Sequence, residues 1–250
     1  MTTNEQQVSF VRPTEDVSYI QPDDTTALRH IPLRNKELLA ILDKYRVLSE
    51  DEDFRKHAHI SAKNQISRRD HWVGDKYIQD LMDGKAKMDG FPDCVVGYDM
   101  ALHKQGLKPY EPTIPHEVRS KLTNDWGNIR QEVMEWLGAK YHALTAIYPP
   151  GGFISWHNNA NAEGYNIIIT WSETGDGWFD YWDNEKKERV RIQDVPGWQA
   201  KMTYFGSYEN PDNLVYHAAY TDCYRITVAF VFKEADEFWE EVIEDLENPL

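Results

Sequence analysis

The chain has only two cysteines, Cys94 and Cys223, far apart and without the spacing of metal ligands. That excludes a disulfide framework and a zinc ribbon, and it suits reduced thiols in a cytosolic setting. No apolar run approaches the roughly 20 residues that a membrane-spanning helix needs. The N-terminal Met1-Thr2-Thr3-Asn4-Glu5-Gln6-Gln7 lacks the basic-then-apolar order of a secretory signal, so the expected location is cytoplasmic. Basic residues are scarce, 27 Lys and Arg against 42 Asp and Glu, which leaves a formal net charge of −15. An acidic surface repels phosphate backbones, so composition argues against nucleic acid as a partner. It leaves room for a small or cationic substrate. There is no internal repeat and no low-complexity segment.

At 250 residues with 41% hydrophobic content, the chain suits one globular domain that buries a large core. Residues 1–30 are polar and carry Pro13 and Pro22, and they read as an extended N-terminal arm. Residues 31–142 read as helical and loop-rich. Asn35 is placed to cap a helix reaching about Leu48, with Leu38, Leu39, Ile41, Leu42 and Tyr45 on one face. Ser49 to Asp53 reads as an acidic break. His57, His59 and Ile60 suit a short strand or a loop. Trp72, Val73, Tyr77, Ile78, Leu81 and Met82 predict a helix over 70–82. From Gly84 to Pro115 the Gly and Pro content predicts a long loop. Val118, Leu122, Trp126, Ile129, Val133, Trp136 and Leu137 then recur at helical spacing. Pro115 is placed to start that helix, Gly138 to end it, and its apolar face should pack on the outside of a sheet.

Residues 143–233 read as β throughout. Ala143 to Tyr148 is followed by the breaker Pro149-Pro150-Gly151-Gly152, and then by Phe153-Ile154-Ser155-Trp156-His157-Asn158-Asn159. Tyr165 to Trp171, Gly177 to Trp182, Lys187 to Ile192, Lys201 to Phe205 and Arg225 to Phe232 are further β-branched and aromatic runs bounded by turn residues. Many short strands at regular spacing make a sandwich or barrel. Residues 234–250 close the chain as a helix with Phe238, Trp239, Val242, Ile243 and Leu246 on its apolar face. The fold class expected is α+β with a mainly β core.

Two histidines and an arginine stand at or beside these strands: His157, His217 and, eight residues on, Arg225. With Asn159 and Thr227 their order resembles that of the iron(II) and 2-oxoglutarate dependent oxygenases, the prolyl-hydroxylase-like branch most of all. The signature of that superfamily is His-x-Asp/Glu, a distal His, and an Arg or Lys some ten residues later. The resemblance spans Thr145 to Phe232. It implies a double-stranded β-helix (a jelly roll, cupin-like) with flanking helices. It also implies iron(II) at His157 and His217, and 2-oxoglutarate and dioxygen as partners. The activity implied is hydroxylation of a C–H bond of a small-molecule or protein substrate, with 2-oxoglutarate decarboxylated to succinate. Arg225 and Thr227 then hold the far carboxylate of 2-oxoglutarate, and Tyr148 adds a hydrogen bond or is a plain core tyrosine.

Several points follow from the residues themselves. Two imidazoles and a carboxylate on one face of a metal leave three positions open for substrate and dioxygen. On a strand His157 and Asn159, two apart, should point the same way. A lone His is more often a hydrogen-bonded core residue, but this pair comes with Arg225. An arginine within an apolar strand needs a partner, either a protein carboxylate or a ligand whose carboxylate matches its fork.

Asn159 departs from the superfamily pattern, because an amide oxygen is a weaker ligand than a carboxylate. Either the metal is held by two histidines with or without the amide, or another carboxylate such as Glu163 or Asp180 swings in, or the iron chemistry is lost. Halogenation ranks low, since Asn159 leaves little room for chloride. A silent β-helix protein that binds a 2-oxo acid or a protein partner is the alternative from another class. A cupin using dioxygen alone is a third, and Arg225 with Thr227 argues against it.

Overall fold

A computed structural model describes residues 9–11, 28–57, 69–86, 89–99, 115–159, 163–209, 211–232 and 238–249. The architecture is α+β and mainly β. The helices are α1 (Lys36–Ser49), α2 (Glu52–His57), α3 (Asp75–Met82), α4 (His116–Leu137) and α5 (Phe238–Glu247). The early strands are short: β1 (Ser9–Val11), β2 (Arg29–Ile31), β3 (Val95–Val96) and β4 (Tyr98–Asp99). Eight longer ones follow: β5 (Tyr141–Tyr148), β6 (Phe153–His157), β7 (Gly164–Ser172), β8 (Gly177–Asp183), β9 (Glu188–Gln193), β10 (Gly197–Phe205), β11 (His217–Thr221) and β12 (Arg225–Phe232).

These strands form two six-stranded sheets, in the orders β1-β9-β8-β11-β6-β3 and β2-β10-β7-β12-β5-β4. From β5 to β12 the chain changes sheet at every connection except the β8–β9 hairpin. Only β1, beside β9, pairs in parallel among the described strands.

Side-chain alternation explains why the sheets stack. In β12, Ile226, Val228, Phe230 and Phe232 face outward into a large apolar cluster, while Ala229 joins a smaller cluster between the sheets. In β7, Ile167, Ile169 and Trp171 face out and Ile168 faces in. This is the period-two pattern of a strand buried on both faces. The outer cluster is completed by Leu38, Leu42 and Tyr45 of α1, Leu122, Trp126 and Val133 of α4, and Leu246 of α5. Asn35 caps α1 as expected, accepting from the Glu37 and Leu38 amides. The second sheet's outer face is covered by Tyr77, Ile78 and Leu81 of α3, packed on Phe153, Trp156 and Trp182.

The structure differs from the sequence reading in four places. The helix expected over 70–82 breaks before Asp75. Gly74 is extended there (φ −81°, ψ 162°) and sits so tightly that a Cβ would lie 2.3 Å from the Asp70 carbonyl oxygen. The acidic break is shorter than expected, because Glu52 and Asp53 open α2, and His57 ends that helix rather than lying in a strand or a loop. His59 and Ile60 lie outside the described residues. The loop from Gly84 contains β3 and β4, which extend both sheets by pairing with β6 and β5. The N-terminal arm likewise contributes β1 and β2 to the opposite sheet edges. Propensity in such two- and three-residue strands is too weak to register against Gly and Pro, and pairing decides.

The outward face of β12 should dominate stability. Ile226→Ala, at a fully buried position, is expected to cost about 2–5 kcal/mol. Urea unfolding should show the midpoint fall at an unchanged slope. A loss well under about 1 kcal/mol would contradict this account of the core.

Candidate functional site

β11 pairs on one side with β6 and on the other with β8, and His217 stands directly across from His157. The pairing contains a bulge: Ala219 is opposite Ile154, so Ser155 and Trp156 together face Ala218. The extra residue resets the alternation. Ile154 joins the cluster between the sheets and Trp156 the outer one. His157, three residues from Ile154, still turns inward to meet His217, their ring centroids 4.1 Å apart. Roughly 4–5 Å separates two imidazoles at right angles on one ion with bonds of about 2.1 Å. His217 is further held by stacking on Phe179 and Phe205, at 5.6 and 4.9 Å.

Both rings are oriented by the same device. His157 Nδ1 donates to the Ser155 carbonyl at 2.8 Å, and His217 Nδ1 donates to the Val215 carbonyl at 2.9 Å. A carbonyl only accepts, so each Nδ1 carries the hydrogen and each Nε2 the lone pair. Burial lowers the pKa of His157 to about 4. Burial, and then the adjacent His157, holds His217 well below its usual range. Both rings are therefore neutral at pH 7, the form that binds a metal ion.

Asn159 is placed differently from the expectation. β6 ends at His157, and Asn159 lies past that end with φ 62°, in the left-handed region that Asn tolerates better than most residues. The rule that residues two apart on a strand share a side does not apply there. The Asn159 side-chain amide still favours the protonated form of His157, an effect smaller than that of burial. Neither alternative carboxylate approaches. Asp180 is on the outward side of β8, gripped by Arg189 and Arg191, and Glu163 accepts from the Tyr204 hydroxyl at 2.5 Å. Among the described residues no three His, Cys, Asp or Glu side chains cluster as a metal site. The donors fit an ion held by two imidazoles and non-protein ligands.

A buried ionic group lies deeper between the sheets. Arg225, at the start of β12, donates through Nε to Asp194 at 2.7 Å, through Nη1 to Thr227 at 2.6 Å, and through Nη2 to Thr170 at 3.4 Å. Of the two partners expected for Arg225, the structure supplies the protein carboxylate. Asp194, between β9 and β10, is anchored by its own amide, which donates to the Gly177 carbonyl at 2.7 Å. Gly177 must be glycine for this approach, since a Cβ would lie 2.4 Å from Asp194 Oδ2.

The other Asp194 oxygen takes Lys201 Nζ at 3.2 Å, and Gln199 Oε1 takes it at 3.3 Å. The side chains of Lys201 and Asp194 are wholly buried and that of Arg225 nearly so. Burial pushes the Asp194 carboxyl up, but Arg225 and Lys201 overcome this and hold it below 3.8. Tyr148 is buried across from Arg225 in the β5–β12 register.

The sequence reading missed Asp194, Lys201 and Thr170. The one available signal was the alternation Gln199, Lys201, Thr203 along a strand whose intervening residues are apolar. It also missed Asn158, whose buried amide accepts from the Tyr208 hydroxyl at 3.4 Å. The histidines and the cations are linked through one ring. Phe179 stacks on His217 and lies 5.7 Å from Lys201 Nζ.

No protein-family model and no curated protein matches the chain. Among solved structures it is similar to a Pseudomonas putida prolyl-4-hydroxylase, with 13% identity and a TM-score of 0.36 over 84% of this chain and 94% of that one. It is also similar to an oxidoreductase of the 2OG-Fe(II) oxygenase family from Burkholderia pseudomallei, with 13% identity and a TM-score of 0.29 over 65% of this chain and 81% of that one. No helix among the described residues is long and apolar enough to cross a membrane.

The buried lysine has a consequence for pH. Burial first, and then Arg225, lowers the Lys201 pKa from 10.5 to about 8, against the pull of Asp194. Between those values the unfolded chain binds a proton that the folded chain has lost. The Lys201 contribution therefore raises stability as pH increases from 8 towards 10. Relative to Lys201→Met, the wild type should gain stability between pH 7.5 and 9.5 in urea unfolding. Parallel curves for the two proteins would contradict the assignment.

Proposed function

We propose that the chain is an oxygenase of the double-stranded β-helix type that uses iron(II) and 2-oxoglutarate to hydroxylate a C–H bond. The observation that carries this reading is the pair of facing, neutral imidazoles. Each is locked by a backbone carbonyl in the tautomer that leaves Nε2 as the ligating nitrogen. Sheet alternation from β5 to β12 supports the β-helix. The buried cations on the other side of Phe179 support a place for a carboxylate.

His157 and His217 would hold the metal, with Asn159 beside His157. The chemistry that iron(II) supplies when bound is activation of dioxygen, coupling decarboxylation of 2-oxoglutarate to succinate with insertion of oxygen into the substrate. The chain's own residues do the rest. The carbonyls of Ser155 and Val215 fix the imidazoles. Phe179 and Phe205 exclude water from one side of His217. Arg225, bonded to Asp194, Thr227 and Thr170 through three of its five N–H groups, would offer the remaining two to the far carboxylate of 2-oxoglutarate. The absence of a third acidic ligand among the described residues favours one other reading, a β-helix protein that binds a 2-oxo acid without turning it over.

The test begins with metal content. His157→Ala and His217→Ala should each weaken iron(II) or manganese(II) binding, by more than the roughly 10–100-fold that follows loss of a group which merely orients a ligand. Unchanged binding in both variants would end the proposal. Addition of 2-oxoglutarate to the anaerobic iron(II) protein should produce the visible charge-transfer band of the chelate.

Asn159→Asp tests the third position. In a site adapted to two histidines, the new carboxylate should lower succinate release while metal stays bound. A rise in turnover would instead mean that a triad had been lost at this position. Metal binding with no turnover in either form would support the binding protein.

A further inference from the structure

We infer that Asp89, Phe91 and Tyr208 form a rim beside the two histidines that selects an organic cation, a free aliphatic amine held by its ammonium group. This names a substrate class for the oxygenase reading above and rests on that reading for the reaction itself.

Three segments meet where β6 ends. Asn158, next to His157, is buried. Its backbone amide donates to the Gly90 carbonyl at 3.3 Å, and its side-chain oxygen accepts from the Tyr208 hydroxyl at 3.4 Å. Tyr208 lies three residues beyond Phe205, whose ring stacks on His217 at 4.9 Å. Asp89 Oδ1 accepts from the Phe91 amide at 3.1 Å, which fixes the turn that carries both residues. The segments bearing Asp89, Phe91 and Tyr208 are thus tied to the strand ends that bear the imidazoles. His157 and His217 are 4% and 5% exposed, whereas Phe91 is 65% and Tyr208 43% exposed, so the histidines lie deep and the two rings lie at the surface.

Two of the four large apolar side chains exposed among the described residues are therefore gathered at this one place. The charge beside them has one sign. Residues 89–96 and 205–209 carry Asp89, Asp93 and Glu209 and no Lys or Arg. Asp93 is taken by the Tyr77 hydroxyl at 2.6 Å, while Asp89 and Glu209 are exposed. Burial raises the Tyr208 phenol, its bond to Asn158 lowers it, and Asp89 adds a smaller upward push, so the Asp89 charge reaches this ring. A ring face attracts a cation, and a carboxylate nearby adds to the attraction. The same rim repels an anion.

Depth decides how the amine enters. The cation rests at the rim, so the part of the molecule that reaches the histidines is the uncharged chain behind it. Next to His217 that chain meets the apolar Phe205 and Val215. A lysine side chain of a protein would enter the other way, ammonium first, and carry its charge past the rim. A free amine suits the arrangement and a protein lysine does not.

The probes are hexylammonium and hexan-1-ol, which match in length and differ in charge. Binding of each to the full chain is measured by calorimetry, with manganese(II) and 2-oxoglutarate present and again without them. Hexylammonium should bind about 5-fold or more tightly than hexan-1-ol, the scale of a cation over an exposed ring. Phe91→Leu and Tyr208→Leu keep apolar bulk and remove the ring face. Each should weaken hexylammonium about 2- to 5-fold and leave hexan-1-ol little changed. Asp89→Asn keeps the oxygen that accepts from the Phe91 amide, and should weaken hexylammonium by a similar factor. The preference should shrink as salt rises, because Asp89 is exposed.

Equal affinity of the two probes in the wild type would overturn the inference, as would a preference that survives all three substitutions. Tighter binding of a lysine capped at both ends than of hexylammonium would overturn the free amine. If hexylammonium is preferred as described but manganese(II) and 2-oxoglutarate do not bind, the rim keeps its role and the oxygenase reading fails. If both bind and hexylammonium is not preferred, the oxygenase reading stands and the rim assignment fails.

Discussion

The site depends on the register between β6 and β11. A strand slipped by one residue turns every side chain to the opposite face, and here a single bulged residue is what keeps His157 inside. Without the bulge, Ile154 and His157 would face opposite ways and His217 would lie opposite Trp156. The register is secured from outside the site. Phe153 and Trp156 are packed under α3, and Ser155 is bonded to Cys94 through its amide and its hydroxyl. The short β3, in a segment whose Gly and Pro content reads as loop, thus clamps the strand that carries the first histidine.

The second constraint is electrostatic. An interior filled with Leu and Ile would be more stable than one holding Arg, Lys and Asp, because desolvation of ions exceeds the return from imperfect pairing. This interior keeps the ions and leaves them unbalanced by one charge. It also keeps two imidazoles uncharged by burial. The cation end and the imidazole end share the ring of Phe179.

Much of this was legible in the sequence, and the reasons are physical. The strands from 143 to 232 are β-branched and aromatic runs separated by Pro, Gly and Asn, and α4 keeps its apolar spacing from Val118 to Leu137 before a glycine stop. His157, His217 and Arg225 stood out because each is polar within an apolar run. Asp194 gave no such signal, for it sits in a turn where an aspartate is ordinary, and its role exists only once β12 is folded across from it. Lys201 was hidden in the same way, in a strand read for its propensity and not for the direction of each side chain. The Asn159 geometry was out of reach, since nothing local predicts that the strand stops at His157 and that the next turn is left-handed.

The division of labour among the clusters explains how such an interior is tolerated. The large cluster under α1, α4 and α5 and the smaller one under α3 lie on the outer faces of the two sheets, away from the histidines and the ions. Hydrophobic stabilisation scales with apolar area removed from water, and the clusters on the outer faces hold most of the buried apolar residues. The inner cluster is smaller than the large outer one and includes Ala146, Ala219 and Ala229, so it contributes less than that cluster. Substitutions that change the chemistry at Lys201, Arg225 or Asn159 therefore act on a surface that the fold does not rely on for most of its stability. Asp194 differs, because removing it would strand two cations at once with no apolar contact to compensate.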